Sequence, residues 1–240
     1  MTGGLALGLA WICGVAPLAA VLFGAEPARA QLSGSVTIAT DYRLRGVSLT
    51  DRRPALSVGA AYDDPSGFYA GGAVIAHNPE SSAVRLLGHT EYLGFAGRGA
   101  GGTSWDVGFA NVDMTLYLDR KYPLEYRQVY VGVAKDALSA RLSYSPDYPR
   151  EGVKSLYLDL NGAVRPAENW RLTGHLGAMS RLGGDRAIDG KPQRYDVRLG
   201  LARTFDHAEV QLAWNAVTPR PRPLSRRTRG GLSLAASYFF

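Results

Sequence analysis

The sequence predicts an all-β fold, a transmembrane antiparallel up-and-down β-barrel of about twelve strands. Three observations carry that expectation. Polar and apolar residues alternate with period two in about twelve successive segments, the last ending on Phe240. The connections between segments alternate between long and short, as in barrels with short periplasmic turns and longer outer loops. Aromatic residues sort to the segment ends, where two membrane interfaces select them. A soluble periplasmic barrel shares the alternation, because period two does not say which face meets water. It gives no reason for the sorted aromatics.

Residues 1–30 stand apart. They form an apolar stretch broken by Pro17 and ending in Ala28-Arg29-Ala30, a small-x-small site that predicts a signal peptide cleaved after Ala30. Met1 to Gly4 carry no Lys or Arg, which leaves a membrane helix or a different start as alternatives. The chain's one cysteine, Cys13, lies in this segment, so residues 31–240 hold no disulfide or thiolate metal site. Beyond residue 30 no apolar run approaches the roughly 18 residues of a spanning helix, and any membrane embedding must use strands.

The first strand is expected from Ser35 to Arg45, with Val36, Ile38, Thr40, Tyr42 and Leu44 on one face and Thr37, Ala39, Asp41, Arg43 and Arg45 on the other. Ala55–Tyr62 is the second, followed by a turn at Asp63-Asp64-Pro65-Ser66-Gly67. A third strand from Phe68 to Ala76 precedes a polar loop, His77 to Ala83. The fourth covers Leu86–Phe95, and the fifth puts Trp105, Val107 and Phe109 on one face. An irregular stretch is expected from Val112 to Pro123. The sixth strand, Tyr126–Ala134, has no readable phase.

Further on, Leu138, Ala140, Leu142 and Tyr144 oppose Ser139, Arg141, Ser143 and Ser145. Leu156, Leu158 and Leu160 then oppose Tyr157, Asp159 and Asn161, before a turn near Arg165-Pro166. Trp170, Leu172, Gly174 and Leu176 oppose Arg171, Thr173 and His175, and Ser180 to Gln193 is a long loop. Tyr195, Val197, Leu199 and Leu201 face away from Arg194, Asp196 and Arg198, and Val210, Leu212 and Trp214 mark the eleventh strand. The last strand reads GGLSLAASYFF, with Leu232, Leu234, Ala236, Tyr238 and Phe240 in register. A C-terminal strand ending in an aromatic residue resembles the closing strand of bacterial outer-membrane barrels, which implies that Tyr238 and Phe240 carry a signal read by the barrel assembly machinery.

Tyr62, Phe68, Phe95, Trp105, Trp170, Phe205, Tyr238 and Phe240 fall at the expected periplasmic ends, and Tyr42, Tyr117, Tyr144 and Trp214 toward the outer ends. The face turned from lipid carries Asp41, Arg43, Arg45, Arg141, Asp159, Arg171, Arg194, Asp196, Arg198 and Glu209. Such rows line a pore and set its selectivity; six arginines among these ten residues bias it weakly toward anions. The alternative is that these charges pair with one another and fill the interior.

Arg220, Arg222, Arg226, Arg227 and Arg229 lie in one basic outer loop. Their forked guanidiniums match phosphate, so lipopolysaccharide is a candidate partner and a solvated, Pro-stiffened loop the simpler reading. Nucleic acid is not an expected partner of an exported chain. His77, His89, His175 and His207 show no metal-ligand spacing, and no cofactor fingerprint is present. For catalysis the one cluster to weigh is His77 with Asp51 or Ser81, and ordinary loop polarity accounts for it.

Several stretches resemble a known family. Thr40-Asp41-Tyr42-Arg43-Leu44-Arg45-Gly46-Val47-Ser48 is similar to the opening strand of the TorF-like porins, proteobacterial outer-membrane proteins mostly known as conserved hypotheticals. Pro54-Ala55-Leu56 with Asp64–Gly71 resembles that family's second strand, turn and third strand, and Tyr144–Tyr148 its mid-chain motif. The stretch after Gly72 departs from the pattern, and beyond Leu160 the likeness is one of rhythm. The resemblance implies a barrel in the bacterial outer membrane, contacting its lipid and passing small solutes. It implies no particular solute.

Overall fold

Strands that alternate at period two bury one face only, and closing the sheet on itself removes its free edges. The computed structural model describes residues 30–78, 83–114, 124–149, 151–183, 192–218 and 230–240. In chain order the strands are β1 Gln31–Ala39, β2 Arg43–Leu44, β3 Val47–Ser48, β4 Ala55–Asp63, β5 Phe68–His77, β6 Arg85–Arg98 and β7 Ser104–Met114. They continue as β8 Leu124–Lys135, β9 Leu138–Ser145, β10 Lys154–Ala167, β11 Trp170–Gly183, β12 Gln193–Phe205, β13 Ala208–Thr218 and β14 Gly230–Phe239. All but β2 and β3 form one closed antiparallel barrel of twelve strands, each paired with its neighbours in sequence and β1 with β14. The expected fold class and strand number are met.

The two ends differ. Turns of two to five residues, such as Asp136-Ala137 and Asp206-His207, join the strands at the end where Gln31 and Phe239 lie. Asp136, Asn169 and Asp206 take the positive φ that tight hairpins demand. In the turn at Asp64, the Ser66 side chain and backbone and the Tyr62 hydroxyl hydrogen-bond the carboxylate and hold it below the usual carboxylate range. Connections of seven to fifteen residues join the strands at the other end.

Apolar side chains point outward on the barrel strands: Leu56 and Val58, Val129 and Val131, Leu158 and Leu160, Leu199 and Leu201, Leu232 and Leu234. That is the surface of a lipid-facing barrel, the inverse of a soluble one. Among the described residues no helix is long and apolar enough to cross a membrane. Tyr62, Phe68, Phe95, Trp105, Phe205, Tyr238 and Phe240 form an outward belt at the short-turn end.

Five local expectations are corrected, one of them the loop expected from Ser180 to Gln193, since β11 runs on to Gly183 and β12 begins at Gln193. The first strand ends at Ala39 rather than Arg45, because the chain bends at Thr40-Asp41 and turns into the barrel. Tyr42 and Leu44 therefore do not face lipid or join an outer aromatic belt; they are buried, Tyr42 to 2% exposure. Val112 to Met114 belong to β7, not to an irregular stretch. Strand β10 continues through Arg165 and Pro166 across a register shift, and the turn comes two residues later. The signal peptide (1–29 of it), Tyr117, Ser81 and the arginine run at 220–229 lie outside the described residues.

Candidate functional site: the barrel interior and its hairpin

The first long connection, residues 40–54, folds back into the lumen. Its core is the β2–β3 hairpin, paired as Arg43↔Ser48 and Leu44↔Val47. Arg45 and Gly46 make the two-residue turn, with φ of 48° and 74°, the left-handed pair that such hairpins use. Asp41 ties the base together. Its carboxylate accepts from Arg43 Nε at 2.7 Å, Ser48 Oγ at 2.5 Å and Thr50 Oγ1 at 3.3 Å. Tyr42 N donates to Thr50 Oγ1 and Leu49 N to Tyr42 O, so the segment is braced at both edges.

The hairpin reaches across the barrel. Its apolar residues Tyr42, Leu44, Val47 and Leu49 pack with inward Ile75, Leu87, Val112, Met114, Leu124 and Val217 in one buried cluster. At the tip, Arg45 donates to Gln128 Oε1 at 2.5 Å. Its guanidinium lies 4.3 Å from the ring centres of both Tyr148 and Tyr157 and 5.1 Å from that of Tyr126. Gly46 abuts β12, where an added Cβ would stand 2.5 Å from Asp196 Cβ. The loop-end half of the lumen is thus packed like a protein core, with a cation caged at its centre.

Below the hairpin the wall is polar. On one side Asp106 accepts from Arg141 at 2.6 Å and from Tyr69 at 2.9 Å, and the Tyr69 and Tyr130 hydroxyls share a hydrogen bond. At mid-height His175 lies between Asp196, 2.9 Å from Nε2, and Asp159, 3.3 Å from Nδ1. Tyr157 donates to Asp196. Nearer the short-turn end Arg171 donates to both Glu209 oxygens at 2.6 Å, and Arg198 donates to Gln211. Arg194, at the loop end, donates to Tyr148 Oη at 2.5 Å.

All ten charged residues singled out from the sequence lie on the inner side. Arg141, Asp159, Arg171, Arg194, Asp196, Arg198 and Glu209 project from barrel strands; Asp41, Arg43 and Arg45 sit on the inturned hairpin instead of the wall. The structure brings Asp41 to Arg43 and Arg171 to Glu209. Asp106, Gln128, His175 and the tyrosines were not singled out. Asp106 was legible, since it alternates with outward Trp105 and Val107. The tyrosines of β8 were not, because Tyr126 and Tyr130 inside against Val129 and Val131 outside leave no polar face to read. His77 is buried on the inner face of β5 and Asp51 follows the hairpin. Among the described residues no group of His, Cys, Asp and Glu is arranged to hold a metal ion.

A family model described as "Bacterial protein of unknown function (Gcw_chp)" matches residues 24–218. No curated protein matches the chain. Among solved structures, the chain is similar to the NanC porin at TM-score 0.59 and 8% identity, over 87% of this chain and 99% of that one. It is also similar to the KdgM porin in complex with disordered oligogalacturonate, at TM-score 0.52 and 11% identity, with the same coverage of 87% and 99%. At such identities the likeness is one of fold.

Proposed function

The chain belongs to the Gcw_chp family, and we propose that it is a porin-type barrel of the bacterial outer membrane, a passive channel for small solutes whose lumen is controlled by the β2–β3 hairpin. The observation that carries this reading is the interior itself. A lipid-facing barrel encloses a charged, tyrosine-lined wall, and one inturned loop, packed by its apolar residues and caged at its tip arginine, fills its loop end. The shared barrel fold of NanC and KdgM, both described as porins, supports the reading, as does the resemblance to TorF-like porins.

Selectivity follows from the charges of the wall and the hairpin together. Six arginines (43, 45, 141, 171, 194 and 198) stand against five carboxylates (41, 106, 159, 196 and 209). Asp106 narrows the margin counted from sequence, and the preference for anions is slight. The arginine run at 220–229 is an outer loop in this reading, and lipopolysaccharide phosphates are its candidate partners. Tyr238 and Phe240 are the residues the assembly machinery would read.

A second reading has its own observation. The apolar packing of Tyr42, Leu44 and Leu49 against six wall residues is what a permanently closed barrel would show. Liposome swelling with small neutral and anionic solutes separates the two. The channel reading expects slow swelling with the native chain and fast swelling once residues 42–49 are replaced by a short Gly-Ser turn. Folded barrels that stay tight in both forms would establish the closed barrel.

A further inference from the structure

The outward surface is not uniformly apolar. On β6 the outward residues run Phe95, Leu93, Glu91, His89 and, past a register shift, Leu86. Glu91 is four residues from the aromatic belt at Phe95 and five from Leu86. At about 3.3 Å per residue it lies some 13 Å along the strand from the belt, inside the apolar band. Its side chain is 60% exposed and faces outward. His89 Nε2 is 3.3 Å from one carboxylate oxygen, and Asn111 Nδ2 donates to the other at 3.1 Å.

The cross-strand row containing Glu91 and the next row toward the loop end, where register aligns His89 with Asp113 and Asp113 with Glu125, carry polar side chains outward on three successive strands. Register aligns Gly34 with Ala60, Ala60 with Gly72, Gly72 with Glu91, Glu91 with Asn111, and Asn111 with Arg127. Three small outward residues on β1, β4 and β5 thus lead into an acid, an amide and a base on β6, β7 and β8. The small residues leave a recess of about 620 Å³, lined by Gly34, Ala60, Gly72, Val74, Glu91 and Phe240. The opposite wall, β10 to β13, has a recess of its own at Gly162 and Gly174. Leucine, valine and aromatic side chains surround it, and no charged side chain faces outward in that row.

Ionisable and amide groups within a membrane-spanning wall face other protein or water rather than acyl chains. We infer that the β4–β8 face is an interface with a second copy of this chain, the two barrels meeting about a two-fold axis along the membrane normal. The patch is self-complementary. It carries three acceptors, Glu91, Asp113 and Glu125, beside three donors, His89, Asn111 and Arg127, so a two-fold can set acids opposite the partner's donors. Such an isologous contact is the commonest way identical chains associate. The small-residue recess lets the two walls approach. Serine, threonine, glycine and alanine play that part between spanning helices.

The inference rests on the membrane-spanning reading and not on conductance, so a silent barrel leaves it standing. Cross-linking in native outer membranes tests it, in a Cys13→Ser background and scored only on heat-modifiable, hence inserted, protein. Val74→Cys, beside the recess, treated with a short bis-maleimide, is expected to give a band at twice the monomer mass. Leu199→Cys, on β12 across the barrel, is expected to give none. Adding Glu91→Leu to Val74→Cys makes the wall more apolar, which favours insertion, and is expected to abolish the band. A monomer from Val74→Cys overturns the inference. So does an adduct of another mass, which would assign the face to a different protein. A dimer that forms equally from Leu199→Cys, or that survives Glu91→Leu, overturns it as well.

Discussion

Arg45 Nη2 donates to Gln128 Oε1 at 2.5 Å, joining residues 83 apart in sequence and locking the tip of an inturned loop to the far wall of the barrel. The contact is reinforced by three tyrosine faces, and such desolvated cation–π contacts are worth up to about 2 kcal/mol each. Arg45→Ala removes all of them and is predicted to release the hairpin and raise single-channel conductance. Arg45→Lys keeps the charge but loses the planar fork and is predicted to lie between the two. Planar-bilayer recording of the three proteins checks the order.

Gly46 makes a second test of the same latch, through its contact with β12. Its φ of 74° costs an alanine about 1–2 kcal/mol, and the new methyl would collide with Asp196 Cβ. Gly46→Ala is predicted to undock the tip without harming the barrel. Limited proteolysis of intact cells should then cut within residues 42–49, where the native hairpin resists.

Arg171 and Glu209 form a buried two-contact ion pair between β11 and β13. Removing one partner leaves the other charge buried alone, a loss of about 3–5 kcal/mol. Glu209→Ala is predicted to destabilise the barrel by that order in urea titrations of vesicle-inserted protein. Arg171→Met with Glu209→Leu is predicted to cost much less than the sum of the single changes.

Asp106 anchors Arg141, Tyr69 and, through Tyr69, Tyr130. Asp106→Asn strips a carboxylate from the wall and is predicted to shift the reversal potential in a salt gradient toward anions. Arg198→Glu is predicted to shift it toward cations.

At the seam, Gly34 N donates to Phe240 O at 2.7 Å and Phe240 N to Gly34 O at 3.1 Å, extending the β1–β14 ladder by one residue pair. The Phe240 ring lies over Gly34, where any Cβ would strike it. Deleting Phe240 is predicted to lower the heat-modifiable fraction of newly made protein, and Gly34→Val to do the same with the terminal residue intact.

The barrel wall was legible because lipid and lumen impose opposite chemistry on alternate residues, and Leu158-Asp159-Leu160 or Leu199-Gly200-Leu201 cannot hide it. The hairpin was not. Val36 to Arg45 keeps one unbroken alternation, so the wall strand and the inturned segment read as a single β-strand. The bend at Thr40-Asp41 leaves no proline, and Gly46 alone hints at the turn. Tyr157 fell in phase with Asp159 and Asn161, but Tyr126 and Tyr148 were opaque for a related reason. An aromatic side chain that cages a cation inside the lumen is indistinguishable in sequence from one that faces lipid. Seven of the ten charges lie on wall strands in the phase read from sequence, whereas Asp41, Arg43 and Arg45 reach the interior through the hairpin. The partners of all ten depend on which segments meet inside the barrel, which period two does not encode.

The central claim is that a porin-type lumen exists and that the β2–β3 hairpin governs it. Single-channel recording of the refolded chain beside a variant with residues 42–49 replaced by a Gly-Ser turn tests it most directly. The account predicts small or infrequent steps from the native barrel and larger, long-lived, weakly anion-leaning steps from the variant. Two inserted barrels that are equally silent would contradict it.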